Sequence, residues 1–353
     1  MSRFFSEKYS SLVPYTPGEQ PRDMKYVKLN TNESPFPPSP GVAAAVAAEI
    51  GSLELYSDPE CTELRSAMAE VYSVTPSRIV MTNGSDEALN FAFMAFADDK
   101  RPLRFADITY GFYPVFAALN HIPTNIVPLD ETFSVVPDDY IGVPDTVVIA
   151  NPNAPTGRLL PLSDIERIVS SDPDRVVIID EAYIDFGGTS AVGLTKKYRN
   201  LLVVGTFSKS RSMAGARLGF AIGDPALIAD INTIRYSTNP YNVNRMTAAA
   251  GVAALRENEY YARHCKTICE NREWTADALA ELGFEILPSS ANFVFARSDK
   301  IGGGELYRAL KERGVLVRHF DSARIADFCR ITIGTREQIE TLVRCICEII
   351  KER

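Results

Sequence analysis

Short, almost uninterrupted apolar runs restrict the fold more than any other feature: VVIA at 147–150, VVII at 176–179 and LLVV at 201–204. A strand with one wet face alternates apolar and polar residues, so runs of this kind suit strands covered on both faces. TNIVPL and RLGFAIG add further candidates. Between VVIANP and RVVIID, the segment LPLSDIERIVSSDP has the length and apolar spacing of a crossover helix. Such units connect with one hand, which predicts an α/β fold built on a large, mostly parallel sheet with helices on both faces. Upstream, GVAAAVAAEIG, CTELRSAMAEVYSV with Leu64, Met68 and Val71, and TNGSDEALNFAFMAFA read as helices. Residues 246–282 read as one long helix closed by Leu282-Gly283. Beyond it, FEILPS, ANFVFARS, GVLVRHF and FCRITIG are strand candidates accompanied by helical GGELYRALKER and REQIETLVRCICEII, a smaller C-terminal α+β domain. The proline-rich start reads as an extended arm that needs a surface to lie on. The expected division is an arm at 1–29, a large domain at 30–250 and a small domain at 251–353.

A chain of 353 residues suits such a division, and 46% hydrophobic with 23% charged residues is globular composition. The formal charge of -8 gives no general field toward nucleic acid or anionic membrane. The opening MSRFFSEKYSSLVPYTP lacks the apolar run of a secretory signal, and no stretch reaches the roughly 20 apolar residues of a membrane span, so a cytoplasmic protein is expected. The 6 cysteines and 3 histidines form no ligand set at zinc-like spacing. Reduced structural thiols and no metal are expected.

Chemistry concentrates where strands end. Lys209 follows the LLVVGTFS run, at the edge where open α/β sheets bind ligands. Alone it is weak, since most lysines are solvated. Asp180, however, ends the VVIID run on the same rim, with Tyr183 three residues on. A carboxylate there could face a protonated pyridine nitrogen, and the Tyr183 hydroxyl a phenolic oxygen. Asp180 as a simple helix cap is the alternative. Gly84-Ser85-Asp86 opens an apolar helix, where backbone amides and the helix dipole favour a phosphate, with Ser208 and Arg217 able to complete the cradle. Arg330 and Arg318, in the C-terminal strands, carry forks that match a carboxylate or a phosphate.

These residues fall within a longer series: Tyr15 to Gln20, Leu29 to Glu33, Leu55-Tyr56-Ser57-Asp58-Pro59, Asn83 to Glu87, Thr109-Tyr110-Gly111, Asn151 to Gly157, Ile179 to Tyr183, Ser208-Lys209, Gly215-Ala216-Arg217 and Cys329 to Thr335. In this order they resemble the aspartate-aminotransferase-type, fold type I enzymes that use pyridoxal 5'-phosphate and, within them, the histidinol-phosphate aminotransferase family. The resemblance implies Lys209 as the Schiff-base lysine and proton carrier, Asp180 at the ring nitrogen, Tyr183 at the phenolic oxygen and Tyr110 stacked on the ring. Ser85, Asp86, Ser208 and Arg217 would surround the phosphate, and Tyr56 would reach the phosphate of a neighbouring subunit in a homodimer. Tyr15, Asn32, Arg318 and Arg330 would bind the substrates, L-histidinol phosphate as amino donor and 2-oxoglutarate as acceptor. One position departs from the family pattern: Ala154 stands where an asparagine amide would meet the phenolic oxygen, leaving that contact to Tyr183, Asn153 or water. An aromatic amino acid aminotransferase, a threonine-phosphate decarboxylase and a non-enzymatic regulator on the same fold are the competing readings.

Overall fold

The computed structural model describes residues 2–353. A 7-stranded sheet runs in the order Ile79–Thr82, Gly219–Ile222, Leu201–Thr206, Val177–Asp180, Thr146–Ala150, Leu103–Ala106, Thr124–Val127. All pairings are parallel except those of Gly219–Ile222, which is antiparallel to both neighbours. Coverage on both faces is visible residue by residue. Val147, Ile149, Val177, Ile179, Leu201 and Val203 pack into one core with Ile165, Ile168 and Val169 of the crossover helix Leu162–Ser170. The alternate residues Val148, Ile178, Leu202 and Val204 pack on the other face against Leu89, Phe93 and their neighbours in helix Gly84–Phe96. Full burial of each such side chain stabilises by about 1.5–3 kcal/mol, so interruption by a polar residue would be expensive on either face.

Strands Phe284–Leu287, Phe293–Ser298, Phe328–Thr332 and Arg318–His319 form a 4-stranded antiparallel sheet backed by helices Gly303–Glu312 and Arg336–Lys351. Its core takes in Leu29 from the N-terminal segment, and Val27–Lys28 pairs in parallel with Val315–Leu316.

Several expectations are corrected. The sheet includes Ile79–Thr82 and Leu103–Ala106, which the apolar runs did not announce. Arg104 interrupts the second of these, and its guanidinium is drawn off by Asp145 at 2.6 Å. The segment 246–282 is two helices, Arg245–Arg256 and Asn258–Glu281, broken at Glu257, whose carboxylate accepts the Gly41 N–H at 3.1 Å. GVLVRHF divides at Val317 between the two small sheets. Val71 is exposed, and its helix turns Leu64 and Met68 inward. No helix among the described residues is long and apolar enough to cross a membrane.

The strand order reverses between Leu103–Ala106 and Thr146–Ala150, and the parallel strands end together at Ala106, Ala150, Asp180 and Thr206. A crevice at such a rim is where this architecture places ligands.

Candidate active site

Two cavities, of about 470 and 440 Å³, lie at that rim and share Thr31, Tyr110, Ala154, Tyr183 and Lys209 as walls. The first also takes Ser85, Asp86, Asp180, Ser208 and Arg217, and the second Tyr15, Asn32, Arg318 and Arg330.

Asp180 ends its strand almost completely buried. It accepts the Tyr113 hydroxyl at 2.9 Å and the Ala182 N–H at 3.2 Å. Burial pushes its pKa up to about 6, against the opposing pull of those two hydrogen bonds. Beyond the next strand, Ser208 is fixed by its N–H to Thr206 Oγ1 at 3.1 Å, and Lys209 Nζ donates to the Thr31 carbonyl at 3.2 Å while lying 5.7 Å from the Tyr183 ring centre. Lys209 therefore stands at the junction of the cavities.

The helix Gly84–Phe96 begins at the first cavity with no side-chain cap on its N-terminal amides among the described residues. Its position depends on glycine at two points. Gly84 has φ +80, and a Cβ on Gly219 would collide with the Gly84 and Ser85 backbone, so the helix start rests directly on the sheet. Arg217 reaches over Gly84 to Asp86 at 2.9 Å, and Asp86 also accepts the Tyr110 hydroxyl at 2.6 Å. Burial, reinforced by Asp86, holds the Tyr110 phenol well above its ordinary pKa.

In the second cavity, Arg330 donates through Nη2 to the Asn30 carbonyl at 3.0 Å and lies over the rings of Phe293 and Phe320. Its Nε is sealed from solvent and has no hydrogen-bond partner among the described residues, and desolvation lowers its pKa. Among the described residues Arg318 bonds only to backbone, at Thr16 O and Pro17 O, which ties the N-terminal segment to the cavity. Tyr15 stacks on Phe112 at 4.1 Å. Asn32 touches the second cavity, but its amide nitrogen is committed to the Tyr183 hydroxyl at 2.9 Å.

Two sequence-selected residues lie outside both cavities. Asn153 is buried with its amide donating to Ile108 O and Thr156 Oγ1 and its oxygen accepting from Thr109, so it cannot replace the missing asparagine contact, and Ala154 presents only a methyl. Tyr56 is 79% exposed and stacks on Tyr241 at 4.5 Å. Conversely, Tyr113, the partner of Asp180, was missed. It lies 67 positions from that carboxylate in sequence, and only its place in an aromatic helix start after Tyr110 hinted at burial.

A buried carboxylate, a lysine at a strand end, a helix start and two arginines without a carboxylate partner among the described residues meet at one rim, a set suited to anionic amines and carbonyl chemistry. The chain belongs to the aminotransferase class I and II family, whose profile matches residues 24–346, and it is therefore a pyridoxal-phosphate-dependent aminotransferase. Within that family it belongs with the histidinol-phosphate aminotransferases: it is 48% identical to the histidinol-phosphate aminotransferase of Aromatoleum aromaticum over 99% of this chain and 100% of that one. Among solved structures, it is similar to histidinol-phosphate aminotransferase from Sinorhizobium meliloti in complex with pyridoxal-5'-phosphate (TM-score 0.85, 23% identity, 93% of this chain and 92% of that one). It is also similar to L-threonine-O-3-phosphate decarboxylase from Porphyromonas gingivalis (TM-score 0.81, 21% identity, 92% and 99%), so the fold alone does not choose the reaction.

The residues present fit the cofactor. Asp180 is a buried carboxylate with no cation in contact among the described residues, as a protonated ring nitrogen requires. The uncapped amides of Gly84–Phe96 suit its phosphate.

Proposed function

We propose that this chain transfers the amino group of L-histidinol phosphate to 2-oxoglutarate, a step of histidine biosynthesis, as a cytoplasmic homodimer. The observation that carries the substrate assignment is the pair Arg318 and Arg330. Both line the cavity that opens onto Lys209, and neither has a carboxylate partner among the described residues. Their planar forks match the phosphate of one substrate and the carboxylate of the other. The name of the Aromatoleum relative supports the donor.

Bound pyridoxal phosphate supplies an aldehyde carbon for the amino group and an electron-withdrawing ring. Asp180, almost fully buried, would hold the proton on the ring nitrogen. The first-turn amides at Ser85 and Asp86, Ser208 and Arg217 would hold the phosphate, Tyr110 would cover the ring and Tyr183 would meet the phenolic oxygen; all line the first cavity. Lys209, at the junction of the two cavities, would anchor the cofactor and serve as the base that takes the proton from the donor's α-carbon; a positioned base contributes about 10²–10⁴-fold. Tyr15 and Asn32 frame the donor's remaining surface. We read the chain as an arm at 1–29, a cofactor domain at 30–250 and a small domain at 251–353, with Tyr56 completing the phosphate site of the second subunit.

A donor panel tests this reading: kcat/KM for histidinol phosphate, phenylalanine, tyrosine, aspartate and threonine phosphate at fixed 2-oxoglutarate, with carbon dioxide release followed in parallel. Histidinol phosphate is expected to lead without carbon dioxide. A higher value for an aromatic amino acid would retain the chemistry and overturn the donor, while carbon dioxide release from threonine phosphate would overturn the transamination reading.

A further inference from the structure

Four hydroxyls or carboxamides meet at one point of the wall between the cavities, and their hydrogen-bond directions can be worked out. Asn32 has left-handed backbone, φ 55, and its N–H donates to Thr332 Oγ1 at 3.0 Å. The Thr332 hydroxyl, almost fully buried, lies 2.9 Å from Asn32 Oδ1, and Asn32 Nδ2 lies 2.9 Å from the Tyr183 hydroxyl. Asn292 Nδ2 donates to the Asn32 carbonyl at 3.0 Å and holds the turn from the other side.

Within this group, only one orientation of the Asn32 amide satisfies both Asn32 and Thr332 among the described residues. If the Asn32 amide were reversed, the Thr332 oxygen would receive two donors and its own proton would be buried without an acceptor, at a cost of about 1–3 kcal/mol. With Thr332 donating to Oδ1, the amide nitrogen must face Tyr183, so the Tyr183 oxygen accepts and its proton is left for the cavity. Among the described residues Tyr183 donates to no protein atom, whereas the Tyr110 proton goes to Asp86 and that of Thr206 to Ser208. Ala154, on the same wall, offers no proton and Asn153 is turned away.

We propose that Thr332 and Asn32 are positioning residues that aim the Tyr183 proton at the phenolic oxygen of the bound cofactor, the contact that Ala154 cannot make. The inference rests on the cofactor reading of the site given above. A proton delivered to that oxygen stabilises its negative charge, so the neighbouring nitrogen of the lysine-linked cofactor gives up its own proton at lower pH. Thr332 lies two residues from Arg330 on strand Phe328–Thr332, so the strand carrying the anion-binding arginine also sets the direction of the Tyr183 hydrogen bond.

The test is the pH midpoint of the visible absorption change of the holoenzyme, with cofactor dissociation measured alongside. Thr332→Val keeps shape and removes the hydroxyl; Asn32→Gly removes the amide at a backbone angle glycine accepts. Each is expected to raise the midpoint by about 0.5–1 pH unit, the effect of one ordinary hydrogen bond, while Thr332→Ser stays at the wild-type value. In a Tyr183→Phe background, Thr332→Val should add no further shift, as required if it acts through that hydroxyl. Coincident midpoints for Thr332→Val and wild type, or a full second shift in the Tyr183→Phe background, overturn the relay alone. If borohydride reduction of the wild type fixes no cofactor on Lys209, the site reading and the relay fall together.

Discussion

Arg330 keeps a charge against two aromatic faces with one carbonyl for a partner and a sealed Nε. A side chain placed to stabilise the fold would have a carboxylate beside it; a desolvated fork without one suits an anion that arrives with the substrate. Arg330→Ala should therefore lower kcat/KM in both half-reactions by a loss of about 2–5 kcal/mol, roughly 30-fold to several thousand-fold. Arg330→Lys restores the charge but not the fork, and should remain impaired. Stability separates this account from a structural one: Arg330→Met, which fills the same space without the desolvated charge, should melt no lower than wild type in the absence of substrate. A marked fall in melting temperature with unaltered kinetics would place Arg330 in the scaffold instead. Tyr113 belongs to the opposite category, since its hydroxyl is spent on Asp180 and no part of it lines either cavity.

The end of strand Val177–Asp180 carries two buried carboxyls in succession, and the second has no place in the transfer chemistry. Glu181 accepts the Ala191 N–H at 2.6 Å and the Ser190 hydroxyl, pinning the following loop to the strand. Burial pushes its pKa up to about 8 from 4.5, with Asp185 and Asp180 adding repulsion. Because the folded value is the higher one, the folded state holds more protons between the two, so Glu181's contribution is complete below pH 4.5 and is lost as pH rises through 8. Asp180, raised to about 6, adds a slope of the same sign over the lower part of that window. Glu181→Gln keeps an acceptor for Ala191 and cannot ionise; its melting temperature should match wild type near pH 5 and exceed it at pH 8. Equal differences at both pH values would show that Glu181 does not titrate there. The strands were legible because two-sided burial leaves an unbroken apolar run, as at Val147–Ala150. Leu103–Ala106 was not, because Arg104 breaks its apolar run and the partner that accommodates it, Asp145, is 41 positions away in sequence. The helix break at Glu257 likewise depends on Gly41, more than 200 positions away. In the site, Lys209, Asp180, Ser208 and Arg217 were legible through their places beside strand ends. Tyr113 and the direction of Asn32 were not, since each is defined by a distant partner.

At the scale of the whole molecule, the apolar surface is unevenly distributed. Ile50, Leu53, Leu55 and Tyr56 are exposed within a few residues of one another, and Tyr236 and Tyr241 are exposed as well, with Tyr241 stacked against Tyr56. The N-terminal segment adds exposed Phe4, Phe5 and Val13, while Thr16 and Pro17 are already held by Arg318. The exposed cluster around Tyr56 and Tyr241 suits a second copy of the chain, and a twofold arrangement would place Tyr56 beside the partner's cavity if it completes the phosphate site there. Mixing subunits tests that geometry directly. Lys209→Ala and Tyr56→Ala are each expected to disable a homodimer, but if Tyr56 acts across the interface, a heterodimer carries both defects in one site and neither in the other. With equal mixing, half the dimers are mixed and each has one intact site, so activity should recover to about a quarter of wild type from near zero. If Tyr56 instead serves its own subunit, every site in the heterodimer retains one defect and no recovery occurs. Absence of recovery after subunit exchange has been demonstrated by mass-tagged chains would therefore rule out the shared site.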